Sequence, residues 1–136
     1  MLTHTHHKRV RYGETDQMGY LYYGNYALYY EIGRVEMLRA LGLTYRTMED
    51  EWGVMMPVVN MESRYLRPAR YDEDVAIETQ LRRLPGRDIT FHFELRDAGG
   101  KLLNGGRVKL CFVERDGGRR VACPAALAEV LKPHFA

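Results

Sequence analysis

Cysteine is scarce in this chain. Cys111 and Cys123 are its two examples; they form no CxxC pair and match no zinc-ligand spacing. A disulfide scaffold is excluded on that count, and a reducing, cytoplasmic setting is the expected location. No apolar stretch approaches the roughly 20 residues of a membrane-spanning helix, and no signal-peptide pattern is recognisable. A surplus of one charge is missing too. Twenty Lys and Arg stand against 18 Asp and Glu, a net charge of +2, and the basic residues are spread along the chain. A dedicated nucleic-acid binder is more basic and more clustered, so nucleic acid is not an expected partner. Glycines 13, 19 and 24 lie too far apart for a phosphate-cradling loop, and no Ser-His-Asp arrangement stands out.

What is present describes an ordinary globular protein. The 136 residues, 46% hydrophobic and 28% charged, suffice for one domain with one core, expected over 1–136. The run Thr3-His4-Thr5-His6-His7 has no neighbouring carboxylate or thiol, so it reads as a solvated strand start; no metal site is expected there. Lys8 to Gly13 reads as a strand, and Glu14 to Asn25 as a turn-rich aromatic stretch. From Asn25 to Leu41 the pattern is helical: Tyr26, Tyr30, Gly33, Met37 and Leu41 recur every three or four residues on one face. Asn25 is the expected N-cap and Gly42 the expected C-terminal cap. Gly33 costs about 1 kcal/mol inside a helix, which predicts close approach to a neighbouring surface.

The remainder reads mostly as strands. Met55 to Leu66 forms one long candidate, with Pro57 near its start. Val75, Ile77, Thr79 and Leu81 alternate with polar or small neighbours, as do Ile89, Phe91, Phe93 and Leu95, then Val108, Leu110 and Phe112. Turns are expected at Pro85-Gly86, Asp97 to Gly100 and Asp116 to Gly118. A short amphipathic helix follows Pro124, carrying Leu127, Val130 and Leu131. The fold class is therefore α+β: one long early helix covering a face of a curved antiparallel sheet. Open edges of such a sheet call for protection, and pairing with another subunit is one remedy.

Asp16 stands between the first strand and the long helix. The helix N-terminus that follows offers unpaired N–H groups and partial positive charge, which suit a developing oxyanion. A carboxylate beside them can attack an acyl group or activate water. An Asp in that position is also a common turn residue, and position alone leaves both readings open.

The segment Arg11-Tyr12-Gly13-Glu14-Thr15-Asp16-Gln17-Met18-Gly19-Tyr20-Leu21-Tyr22-Tyr23-Gly24-Asn25-Tyr26 resembles the opening of the 4-hydroxybenzoyl-CoA thioesterase family, above all its YbgC-like branch. Tyr30-Glu31, Arg34 to Arg39 and Tyr65-Leu66-Arg67-Pro68-Ala69-Arg70-Tyr71-Asp72-Glu73 resemble it as well. The resemblance implies a hotdog fold, with the helix as sausage and the sheet as bun. It implies a homodimer or homotetramer whose active sites lie between subunits, an acyl-CoA substrate hydrolysed to acid and CoA, and no metal or redox cofactor, coenzyme A being part of the substrate. Carried over by position, Asp16 is the catalytic carboxylate and Tyr23 supplies the N–H that polarises the thioester carbonyl. The branch often has histidine where Tyr23 stands; a backbone donor survives that change, an imidazole role does not.

Other candidates for substrate contact are Gly19, Tyr22 and Tyr26 around the helix start. Glu31 lies about two turns beyond Tyr23 and is either a second carboxylate or a structural acceptor. Arg64, Arg67 and Arg70 recur every third residue; they either meet CoA phosphates or form a solvated basic rim. The same features also admit an acyl-carrier-protein thioesterase or a non-catalytic acyl-CoA-binding protein.

Overall fold

Period-two alternation builds the sheet. The computed structural model describes residues 1–135, and among them the strands β1 (Leu2–Arg9), β2 (Val54–Met55), β3 (Val58–Tyr65), β4 (Asp74–Leu81), β5 (Asp88–Arg96), β6 (Leu102–Glu114) and β7 (Arg120–Val121) form one antiparallel sheet. The main order is β1-β4-β5-β6, with β3 on the far side of β6 and the two-residue strands β2 and β7 flanking its end. Ile77, Thr79 and Leu81 of β4, Phe91 and Phe93 of β5 and Val108 and Leu110 of β6 are buried on one face. Against that face lies α1 (Tyr26–Ala40), followed by the short α2 (Tyr45–Asp50); α3 (Ala125–Leu131) closes the core with Leu127 and Leu131. This is the hotdog layout: a long helix wrapped by a curved antiparallel sheet. Among the described residues, no helix is long and apolar enough to cross a membrane.

Two glycines let helix and sheet approach closely. A Cβ on Gly33 of α1 would lie 2.5 Å from Thr79 Oγ1 and 2.8 Å from Ile77 Cγ2, so the sheet's side chains occupy the space a helix side chain would need. On β6 the relation is reversed. A Cβ on Gly106 would fall 2.3 Å from Tyr30 Cζ, because the Tyr30 ring fills the gap. That ring stacks on Phe93 with centroids 4.6 Å apart. Its hydroxyl is shared between Ser63 at 2.8 Å and the buried Asn104. The close approach expected at Gly33 is what the helix has.

Several expectations need correction. The first strand is Leu2–Arg9, not Lys8 to Gly13, and it pairs with β4 along its whole length from Leu2↔Leu81 to Arg9↔Asp74. Its inward residues are Leu2, His4, His6 and Lys8, so polar side chains carry the alternation and the apolar pattern is hidden. The candidate strand Met55 to Leu66 is interrupted at Met56-Pro57, where Pro57 has no N–H to give, and β3 is largely exposed. Asn25 occupies the N-cap position of α1 without capping it: a 3-10 turn at Tyr23–Asn25 winds into the helix, and the Asn25 side chain turns back to Glu14. Helix α2 has no counterpart in the sequence reading. It is capped by Thr44, whose Oγ1 accepts from Thr47 N at 3.1 Å, and is pinned to α1 by Arg34 Nε donating to Tyr45 Oη at 2.8 Å. Gly42, at φ +84°, ends α1 as expected, with its N–H on Arg39 O and the Leu43 N–H on Leu38 O.

Candidate active site

The loop between β1 and α1 is fastened on both sides. Upstream, Tyr12–Glu14 makes a 3-10 turn. Downstream, Leu21 N donates to Ala69 O at 2.7 Å, Tyr20 pairs with Arg70, and the Arg70 guanidinium lies over the Tyr20 ring at 5.3 Å. Between these anchors the chain folds back, with Thr15 bridged to Leu21 and Gly19 at φ +80° supplying the left-handed step. Asp16 closes the turn. Its N–H donates to Tyr20 O at 2.8 Å, and its Oδ1 accepts from Met18 N at 2.9 Å and Tyr20 N at 3.2 Å. The turn role and the chemical role are compatible: Oδ1 holds the loop, and Oδ2 has no hydrogen-bond partner among the described residues.

Asp16 opens onto a cleft of about 280 Å³. Tyr23 and Tyr26 reach it from the helix start, and Tyr65, Leu66 and Arg67 from the end of β3. Tyr26 meets Tyr65 edge-on, ring centroids 5.1 Å apart, so the two elements share one aromatic wall. At the helix start the Tyr22 N–H is taken by Glu14 O and the Asn25 N–H by Tyr22 O. The amides of Tyr23 and Gly24 stand in the first turn, where a helix offers no acceptor of its own.

Glu14, two residues before Asp16, organises the surroundings. One carboxylate oxygen accepts from Arg11 N at 2.8 Å, Lys8 Nζ at 3.0 Å and Tyr29 Oη at 2.8 Å. Burial pushes this carboxyl upward, but the three hydrogen bonds and the Lys8 charge outweigh it and hold it below its ordinary value. Burial and the adjoining Glu14 carboxylate together push the Tyr29 phenol far up.

The sequence candidates are thus divided. Asp16, Tyr23, Tyr26 and Arg67 come together at the cleft. Gly19 shapes the turn, and Tyr22 is packed on Tyr23 with centroids 4.8 Å apart; both flank the cleft without lining it. Within this chain Glu31 is exposed on α1 and does not line the cleft. Arg64 lies on the outer face of the sheet, beside a hollow it shares with Arg82, His92 and Arg107. Met18, Tyr65 and Leu66 line the cleft although their chemistry did not single them out; Tyr65 and Leu66 belong to the second motif, beside Arg67. Lys8 and Tyr29, which hold Glu14, gave no signal in the sequence.

A family model described as the thioesterase-like superfamily matches residues 10–131. The chain is 32% identical over 106 residues to the acyl-CoA thioester hydrolase YbgC of Escherichia coli O6:H1, covering 78% of each chain. It superposes on a DHNA-CoA thioesterase from Staphylococcus aureus with a TM-score of 0.85 and 27% identity, over 99% of this chain and 85% of that one. It also superposes on a 4-hydroxybenzoyl-CoA thioesterase with a TM-score of 0.85 over 94% and 97% of the two chains; at 22% identity, that likeness speaks to the fold alone.

Proposed function

Because the chain belongs to the thioesterase-like superfamily, we propose that it is a thioester hydrolase, splitting a small aliphatic or aromatic acyl-CoA into free acid and CoA, with Asp16 as its catalytic carboxylate. The observation that carries this reading is that one cleft holds both Asp16 and the helix start at Tyr23. The thioester carbonyl accepts from the Tyr23 N–H, where the helix terminus stabilises the charge that develops on oxygen. Asp16 then acts in one of two ways. As nucleophile, Oδ2 bonds to the carbonyl carbon, the C–S bond breaks with its electron pair leaving on sulfur, and water hydrolyses the mixed anhydride. As general base, Asp16 takes a proton from the water that attacks. Either route ends with protonation of the CoA thiolate. Coenzyme A is part of the substrate, and neither route draws on a further cofactor.

The unit of function in this proposal is a dimer, itself able to pair into a tetramer, in the cytoplasm. Support comes from β3. It pairs with β6 on one side, and Val58, Val59, Met61 and Tyr65 are 40–53% exposed along it. An edge strand that leaves such apolar side chains exposed is an aggregation hazard unless a second strand covers it, and a second copy of β3 is self-complementary to it.

The deciding experiment replaces Asp16 by Asn and follows thiol release over short, long and aromatic acyl-CoAs, with the best acyl group also offered on acyl carrier protein. Wild-type turnover on CoA thioesters, falling by two to four orders of magnitude in Asp16→Asn without loss of ligand binding, is the expected outcome. Turnover in Asp16→Asn close to wild type refutes the role of Asp16, and binding without turnover by the wild type refutes the activity.

A further inference from the structure

Five hydrogen bonds converge on Glu14, and their donors come from β1, the turn that follows it and the start of α1. The side chain takes Lys8 from the end of β1, Arg11 from the turn and Tyr29 from the first turn of α1. The main-chain carbonyl takes Tyr22 N at 2.9 Å and Asn25 Nδ2 at 2.9 Å. Two residues along the chain lies Asp16; one residue beyond Tyr22 lies Tyr23. A residue that merely capped the Tyr12–Glu14 turn would need the Arg11 bond alone. Here four further bonds run to the elements that set where the Asp16 carboxylate and the Tyr23 amide stand. The Lys8 ammonium also lies over the Tyr29 ring at 5.2 Å, so strand, loop and helix are drawn to one point. Glu14 itself does not line the cleft.

We infer that Glu14 is a positioning residue for thioester hydrolysis, fixing the distance between the Asp16 carboxylate and the Tyr23 amide without touching substrate. This rests on the proposed role of Asp16. A clamp of this kind acts on the geometry of attack, and a misplacement of about 1 Å costs on the order of a hundredfold in rate. Its loss therefore appears in kcat more than in KM, because the walls that hold the acyl group, Tyr26, Tyr65 and Leu66, have other supports.

The test measures kcat, KM and Tm for Glu14→Ala, Glu14→Gln, Tyr29→Phe and Lys8→Met as purified full-length chains, beside Asp16→Asn. Glu14→Ala is expected to lower kcat at least tenfold per folded enzyme with KM within about threefold of wild type. Glu14→Gln, which keeps an acceptor oxygen for Arg11 and Tyr29, falls between Ala and wild type. Should Glu14→Ala not fold, Tyr29→Phe and Lys8→Met, each removing one donor, carry the test and show the same loss confined to kcat. Unchanged kcat with a lowered Tm makes Glu14 structural only and overturns the inference, as does any other rank order of the Glu14 variants. Such a result beside an inactive Asp16→Asn leaves the hydrolase reading standing; an active Asp16→Asn removes both.

Discussion

Replacing Gly106 by alanine tests whether the helix sits as deep in the sheet as the geometry requires. The new methyl would fall 2.3 Å from both Cζ and Oη of Tyr30 and 2.6 Å from Cε2. Ordinary contact begins near 3.4 Å, so the ring must retreat by about 1 Å. It has nowhere to go without cost. One face stacks on Phe93, and the hydroxyl joins Ser63 and Asn104, the latter fully buried. Overpacking of this kind costs about 1–3 kcal/mol, and an Asn104 left short of a partner about 1–3 kcal/mol more. The sum, about 2–6 kcal/mol, corresponds to a fall in Tm of roughly 7–20 °C for a chain of this size. Thermal unfolding followed by circular dichroism reads it directly. Placing Gly106→Ala in a Tyr30→Leu background, where the ring is gone, should recover most of the loss, because the two substitutions share one space. A Gly106→Ala chain melting within about 2 °C of wild type, or losing as much without the ring, refutes the close-approach argument.

Other consequences are as direct. The Glu14 carboxyl titrates below its ordinary 4.5 in the folded chain, so the unfolded chain takes up the proton first as pH falls. Its stabilisation is therefore present above pH 4.5 and is lost as pH falls through the folded value; the Tm gap between wild type and Glu14→Gln should shrink between pH 7 and pH 3, and a constant gap contradicts this. Burial pushes the Cys123 thiol up to about 11, and Cys111 is buried, so alkylation at pH 8 should run on the order of a hundredfold slower than for an exposed cysteine; rapid labelling of the native chain would be inconsistent with the packing. In the proposed β3-to-β3 dimer, Met61→Lys should weaken self-association at least tenfold in sedimentation while leaving the monomer folded, since Met61 is 40% exposed and like charges would meet across a two-fold axis; a dimer that is unchanged, or a wild-type chain that does not self-associate, contradicts the proposed interface.

How far the chain could be read from its residues follows the physics of each element. Helix α1 was legible because Tyr26, Tyr30, Gly33 and Met37 recur at helical spacing and all are buried. Strands β4 and β5 were legible because apolar and polar residues alternate strictly. Strand β1 was not, since His4, His6 and Lys8 occupy its inward positions and only pairing with β4 reveals their face. Six-residue α2 is too short for a period to emerge, and its support, Arg34 on Tyr45, is a contact between separate elements that no local pattern announces. At the site, the linear motif singled out Asp16 and Tyr23, which the fold brings to one cleft. It could not show that the rank and file of that motif differ in purpose. Glu14 is tied to Lys8 and Tyr29, six residues before and 15 after it, and such a convergence exists only in the folded chain.

The exposed edge and the open cleft are connected. Tyr65 ends β3, Leu66 follows it, and both are about half exposed while lining the cleft beside Asp16. They continue the apolar row of Val58, Val59 and Met61, so one monomer leaves the row and part of the cleft wall in contact with water. A cleft of about 280 Å³ lies just under the usual range for a small-molecule site. Water there would weaken the helix-terminus stabilisation on which the proposed chemistry depends. A second strand laid along β3 would bury the row and add to the wall at its end, removing both costs at once. Under the hydrolase reading, assembly and catalysis are then coupled through Tyr65 and Leu66, and a folded monomer should bind acyl-CoA weakly and turn it over poorly with Asp16, Tyr23 and Glu14 all in place.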